Sequence, residues 1–264
     1  MKSIAAFVAI ALTLASSSLT APLSKRVGPG KRGLCWPFYN SPLDPAKLND
    51  GQGTVNLIYD YETFLPPVLQ RERRPELHRH ATQQNGFSTL FTLNEPDING
   101  ITPQQAAAWY IQNINPIAIK KALPAVTAST QPGQGLDWLS QMLDACAGNC
   151  FFDYINLHHY GASFEQFQDY VNSASQQFPG KQIVITEFAL QNPAGGQADQ
   201  VAFYKQAFPF LDGADFVEMY FPFVATSPSL FSANDAGGVS FVGTGSTLYN
   251  DDGSISAVGQ LMLQ

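Results

Sequence analysis

From residue 33 onward the chain alternates two patterns: short runs that are apolar throughout, and longer stretches where apolar residues recur every three or four positions. The short runs predict strands over Gly33–Trp36, Val55–Tyr59, Phe64–Leu69, Ser88–Leu93, Leu123–Thr127, Tyr154–His158, Ile183–Thr186 and Phe216–Phe221. The third is the weakest, because Pro66 and Pro67 interrupt it and proline cannot donate to an interior ladder. Strands without polar alternation have both faces covered, which is the mark of a parallel sheet under helices.

The intervening stretches read as helices. Thr102-Pro103-Gln104-Gln105 combines a capping residue, proline at the first helical position and a glutamine able to complete a capping box. Leu136, Leu139, Met142, Leu143 and Cys146 form a stripe at helical spacing. Ser163 and Gln166 repeat the capping pattern ahead of Phe164, Phe167, Val171 and Ala174, and further helices are expected over Ala198–Phe208 and Ser256–Leu263. Eight strand–helix units predict an α/β protein of one domain, a (β/α)8 TIM barrel, with its active site at the carboxyl ends of the strands. An open doubly wound sheet is the alternative, but no Gly-rich phosphate fingerprint follows any strand.

Two carboxylates stand at those strand ends. Glu95 lies in Leu93-Asn94-Glu95-Pro96-Asp97 after the fourth predicted strand, and Glu187 lies in Ile185-Thr186-Glu187-Phe188 after the seventh. Both therefore project from one rim, and a facing pair of acids is what cleavage of a glycosidic bond requires. Pro96 biases Glu95 towards extended backbone angles. Strict alternation cannot aim Asn94 and Glu95 inward together, so a distortion is expected at that strand end. On the sixth strand Asn156, His158 and Tyr160 share one side, which should face the mouth. His158 and His159 point opposite ways and cannot chelate one ion. Trp36, Tyr59, Tyr61, Tyr160, Tyr220 and Phe221 lie at or just beyond strand ends, where rings can stack on sugar faces.

Composition narrows the field. Net charge is −7, with 13% charged and 12% aromatic residues, which disfavours a nucleic-acid partner and suits a neutral ligand. Residues 1–21 have the positive start, short apolar stretch and small-residue end of a secretory signal peptide. Lys25-Arg26 offers a dibasic processing site, so residues 22–26 read as a pro-segment and 27–264 as the catalytic domain. No later run reaches the roughly 18 apolar residues of a membrane span. A soluble, exported monomer is expected, extracellular or in a cell wall, with no membrane partner. Of the three cysteines, Cys146 and Cys150 could close a small loop, and Cys35 reads as a buried thiol. No metal and no cofactor is implied.

Taken together, Lys31–Trp36, Leu93–Asp97, Asp153–Gly161, Ile185–Ala189, the Cys146–Cys150 region and Leu248–Ser254 resemble the corresponding segments of glycoside hydrolase family 128. That resemblance implies a secreted, retaining β-1,3-glucanase with Glu95 as acid/base and Glu187 as nucleophile. It also implies that Asn94, Trp36, His158 and Tyr160 line the sugar cleft. The chain departs from the family pattern at His159, where tryptophan is usual, and at Tyr220-Phe221, where the last strand commonly carries a tryptophan. Retention requires the carboxyl groups about 5–5.5 Å apart. Glu95 is then expected to have a raised pKa, and Glu187 to stay ionised. Two readings stay open beside this one: action on another β-linked polysaccharide such as mannan or β-1,4-glucan, and a secreted glucan-binding protein without turnover.

Overall fold

The structure, a computed structural model, describes residues 30–49, 51–59 and 88–264. The proposed leader and pro-segment, Tyr61 and the candidate strand Phe64–Leu69 lie outside the described residues. Within them run seven strands: β1 (Arg32–Cys35), β2 (Val55–Tyr59), β3 (Thr89–Leu90), β4 (Lys120–Lys121), β5 (Tyr154–Gly161), β6 (Gln182–Leu190) and β7 (Val217–Pro222). All named pairings are parallel, in the order β2-β1-β7-β6-β5, with β3 beside β4. Single parallel bridges, Ala122 with Tyr154 and Val126 with Leu157, carry the ladder from β5 to the segment after β4. Asn94 with Ala125 carries it on to the segment after β3.

Read round, the order is 2-1-7-6-5-4-3, with every step in the same sense and the first strand beside the last. A doubly wound sheet reverses direction at a switch point; this order does not. It is the cyclic order of a (β/α)8 barrel, traced through seven of its strands. The fifth predicted strand, Leu123–Thr127, survives only as bridges, because Pro124 has no N–H to give. β6 in contrast runs four residues beyond its predicted end, so Glu187 stands inside a strand and not after one.

The helices confirm their capping signals. In α1 (Pro103–Trp109) Thr102 Oγ1 accepts from Gln105 N–H at 3.2 Å while Gln105 Oε1 accepts from Thr102 N–H at 2.9 Å, closing the capping box. In α3 (Phe164–Gln177) Ser163 caps Gln166, but the Gln166 side chain accepts from Ala162 instead. α2 (Gly135–Cys146) buries Leu139, Met142 and Cys146 as the stripe predicts. α4 (Gln197–Gly213) continues past Pro209, and α7 (Ala257–Leu261) starts at the Ser256 cap. Two short helices, α5 (Pro228–Asn234) and α6 (Ala236–Val242), were not anticipated. Cys146 and Cys150 form a disulfide, and Cys35 is buried apart from it.

Between sheet and helices, Phe167 of α3 stacks on Phe188 of β6 with centroids 5.0 Å apart. Each such fully buried ring contributes about 1.5–3 kcal/mol. Inside the barrel, Phe221 reaches the space that a side chain at position 33 would occupy, a Cβ there falling 2.2 Å from its ring. Gly33 is therefore a packing requirement of β1.

The base of the barrel holds an ion pair between a buried guanidinium and a partly exposed carboxylate. Arg32 at the start of β1 donates from Nη2 to Asp212 at 2.7 Å, from Nη1 to the carbonyls of Leu261 and Met262, and from Nε to the Tyr220 hydroxyl at 3.0 Å. Tyr220 in turn donates to Asp212 at 2.7 Å. One guanidinium thus joins β1, β7 and the carboxyl ends of α4 and α7.

Candidate active site

Glu95 is positioned by a bend. Its N–H donates to Ala125 O at 2.8 Å, and its own carbonyl accepts from the backbone and side-chain N–H groups of Asn99. These bonds hold Glu95 at φ +45°, the left-handed region a non-glycine residue rarely enters. This is the distortion that the Asn94–Glu95 pair demanded. It also corrects the extended angle expected ahead of Pro96: these bonds, with a fourth from Ile98 N–H to the Glu95 carbonyl at 3.2 Å, outweigh the local preference. Asn94 is exposed beside it.

β6 solves the same parity problem differently. Thr186 and Glu187 are neighbours, yet both side chains reach groups of the mouth. Register shifts between Leu157 and His158 on β5, and between Ile185 and Phe188 against β7, mark the irregularity that turns both inward. His158 becomes the cross-strand partner of Glu187.

The two acids meet at that histidine. His158 Nδ1 lies 3.0 Å from Glu95 Oε1 and 3.5 Å from Glu187 Oε2. The separation of those two oxygens can therefore not exceed the sum of the two contacts. Tyr160 donates to Glu187 Oε2 at 2.7 Å. Behind the imidazole, Nε2 is 2.9 Å from Thr186 Oγ1, and Thr186 donates to Asn156 Oδ1 at 2.9 Å. With its hydroxyl hydrogen so committed, Thr186 accepts from Nε2, while Nδ1 donates to carboxylates. Where Glu95 and Glu187 are both ionised, both ring nitrogens then carry protons and His158 is an imidazolium.

Electrostatics agree with that assignment. Burial works against a charge on His158, but Glu187 and Glu95 outweigh it and raise its pKa. Burial also raises the pKa of Glu187, against the pull of His158 and the Tyr160 hydrogen bond. The upward push thus falls on Glu187, the acid expected simply to stay ionised. Burial and the neighbouring Glu187 hold Tyr160 well above the ordinary phenol range, so it remains a donor. The side chains of Glu95 and Glu187 keep 20% and 11% exposure, enough for a ligand to reach both.

Of the predicted aromatics among the described residues, Tyr160 is the one that hydrogen-bonds Glu95 or Glu187. Its ring packs edge-on against Phe223 and Phe241 at 5.7 and 5.2 Å. Trp36 is buried edge-on to Tyr249, and its indole N–H has no partner among the described residues. Tyr59 and Phe221 pack with Phe91 inside the barrel, nearly sealed from solvent. Tyr220 is removed from the mouth altogether: it faces outward onto Phe208 and bonds the base ion pair. Both corrections have one cause. A small barrel fills its interior and its helix seam with large side chains, so an aromatic on a strand is usually structural.

Sequence reasoning missed three contributors. Thr186 had a signal, a lone hydroxyl inside an apolar run. Asp97 had one too, as the end of the Asn94–Asp97 motif. Its carboxylate accepts from Thr127 Oγ1 at 2.6 Å and from Gly135 N–H at 2.9 Å, clamping the Glu95 bend to the next loop. Phe241 had none, because it arrives on the unanticipated α6.

Comparisons with known proteins agree with this geometry. The family described as "Glycosyl hydrolase catalytic core" matches residues 33–262. A subgroup IV endo-β-1,3-glucanase of glycoside hydrolase family 128 from Lentinula edodes is 56% identical, covering 89% of this chain and all of its own, with TM-score 0.82. A subgroup III curdlan-specific exo-β-1,3-glucanase from Blastomyces gilchristii, solved with glucose, is 25% identical over 90% of this chain and all of its own, with TM-score 0.65. Alkali-sensitive linkage protein 1 of Schizosaccharomyces pombe is 30% identical over 89% of this chain but only 44% of its own length. The chain thus spans less than half of that curated relative.

Proposed function

Because the chain belongs to glycoside hydrolase family 128, we propose that it is a retaining endo-β-1,3-glucanase with Glu187 as nucleophile and Glu95 as acid/base. The observation that carries this reading is the convergence of both carboxylates on His158 Nδ1. That contact bounds the separation of their two facing oxygens at the foot of the about 6.5–9.5 Å range of inverting enzymes and leaves room for the roughly 5–5.5 Å of retaining ones.

Glu187 attacks the anomeric carbon as Glu95 protonates the departing oxygen, giving a glycosyl-enzyme and a free reducing-side fragment. Water, deprotonated by Glu95, then attacks the same carbon and releases Glu187. Tyr160 and His158 hold the nucleophile's carboxylate and follow its charge as it is spent in the bond and returned. His158, with Thr186 and Asn156 behind it, fixes the two acids relative to each other. The amide of Asn94, exposed beside Glu95, is a donor for sugar hydroxyls. Export through the leader in residues 1–21, with trimming after Arg26, brings a monomer to an extracellular or wall-bound β-glucan.

Proton NMR of fresh product tests the reaction. Laminarin should yield the β-anomer first, with oligosaccharides of several lengths from the earliest time points. An initial α-anomer overturns retention, and no cleavage of laminarin or curdlan overturns the glucanase. Mannan and cellulose oligosaccharides run alongside separate the linkage, and intact mass of secreted protein checks the trimming.

A further inference from the structure

Leu157 of β5 pairs with Ile185 of β6, and the next residue, His158, pairs with Glu187. Thr186 is the extra residue between them, with no partner of its own on β5. An insertion of this kind bends its strand and re-aims a side chain. Here it brings a hydroxyl between Asn156 and the far side of the His158 ring, 2.9 Å from Asn156 Oδ1 and 2.9 Å from His158 Nε2. None of the three residues is more than 1% exposed, so solvent does not compete for these bonds.

The chemistry of the three groups gives this chain a direction. An amide oxygen only accepts, a hydroxyl has one hydrogen, and a ring nitrogen either donates or accepts. Asn156 Oδ1 takes the Thr186 hydrogen, so Thr186 Oγ1 turns a lone pair towards Nε2. A bare Nε2 would set one acceptor against another in a buried site, so Nε2 keeps its hydrogen in every charge state of the ring. The hydrogen that can move is then the one on Nδ1, which faces Glu95 Oε1 at 3.0 Å and Glu187 Oε2 at 3.5 Å. The charged groups around the ring are Glu187 from β6 and Glu95 and Asp97 from the bend after β3, and all three favour a proton there. Tyr160, from the histidine's own strand, gives its hydrogen to Glu187.

We propose that Asn156 and Thr186 are positioning residues for the acid pair: they pin one proton on Nε2 and confine the exchangeable one to Nδ1, where Glu95 and Glu187 share it. Passage of that proton from Nδ1 to Glu95 Oε1 breaks an N–H bond and forms an O–H bond. It leaves a neutral ring beside a protonated acid, with the summed charge of the three groups unchanged. The consequence for turnover rests on the glucanase function above, whereas the placement of the protons does not.

Histidine-selective 15N labelling of the full chain reads both ring nitrogens, since the sequence has four histidines and His158→Gln assigns the signals. In the wild type Nε2 should stay protonated throughout a pH titration while Nδ1 loses its proton. Thr186→Val removes the acceptor, and Asn156→Leu frees the Thr186 hydrogen to point at Nε2. In both variants the neutral ring should carry its proton on Nδ1 instead. The imidazolium is then less favoured, and the alkaline limb of kcat/KM on laminarin should move down by about one pH unit. Thr186→Ser, which keeps the hydroxyl, should behave as wild type in both measurements. A bare Nε2 in the wild type overturns the proposal, as does a ring unchanged in both Thr186→Val and Asn156→Leu. So does a uniform fall in kcat/KM with the limb in place, or an equal loss in Thr186→Ser, either of which assigns the pair to packing alone. Should the wild type cleave no laminarin, the glucanase reading falls and the labelling alone decides: Nε2 protonated throughout sustains the relay, and Nε2 bare overturns it.

Discussion

The barrel carries the same small arrangement twice, at its two ends, with opposite consequences. At the base, Tyr220 donates to Asp212 at 2.7 Å beside Arg32; at the mouth, Tyr160 donates to Glu187 at 2.7 Å beside His158. Each is a tyrosine, a carboxylate and a cation at a strand end. The base balances one permanent cation against one acid and gives two further guanidinium hydrogens to helix carbonyls and one to the Tyr220 hydroxyl. The mouth sets one titratable cation against two acids and leaves both acids within reach of solvent. A network whose charges match and whose hydrogen bonds go to the fold is a clamp. One with an acid in excess and a proton that can leave is a reaction centre.

The largest difference should appear when each end loses its acid or its cation. Glu187→Gln should lower kcat on laminarin by about 10³-fold or more, roughly 4 kcal/mol of barrier. Laminari-oligosaccharide affinity should survive by calorimetry and the melting temperature should not fall. An active Glu187→Gln would remove it from the chemistry. Arg32→Met should do the reverse, leaving kcat/KM near wild type while costing about 2–4 kcal/mol of unfolding free energy in urea. The lower part of that range is expected, since the Asp212 side chain is 40% exposed and water can take over part of its charge.

The tyrosines sharpen the comparison further because the substitution is identical. Tyr160→Phe removes a hydrogen bond to a charged nucleophile, worth about 1.5–3 kcal/mol, and should cut kcat by about ten- to a hundredfold with little change in stability. Tyr220→Phe should cost about 1–2 kcal/mol of stability and leave turnover alone. If Tyr220→Phe slowed catalysis as much as Tyr160→Phe, the division of labour between the two ends would be wrong.

That pair also marks where sequence stops being legible. Tyr160 and Tyr220 both read as aromatics near strand ends, and nothing local separates them. What separates them is which way each strand's pleat carries the ring, and register shifts such as those of β6 reset that parity. Apolar runs and caps were readable because they depend on residues a turn apart: the capping box at Thr102 is complete within four positions. Glu95 and Glu187 were readable because polar residues bounding apolar runs betray a strand end. The His158 bridge between them was not, since it joins residues 63 and 29 positions apart in the chain through a bend and a bulge.

The smallest expected effect is a slope, not a loss, and it distinguishes the two ends by pH. Glu187 has a raised native pKa, so between the ordinary carboxylate value of about 4.3 and that native value the folded state holds a proton the unfolded chain has released. His158 is raised too; its contribution is full below about 6.5 and is lost as pH rises through its native value. Both signs agree: unfolding free energy should decline as pH climbs from mildly acid to mildly alkaline. Arg32 keeps its charge throughout, so Arg32→Met should lower the whole profile in parallel. His158→Gln should instead flatten its upper part, bringing variant and wild type together at alkaline pH. Urea melts at a series of pH values measure both. A parallel drop in His158→Gln would mean that the imidazole is neutral in the folded protein, and that the mouth, like the base, holds its protons fixed.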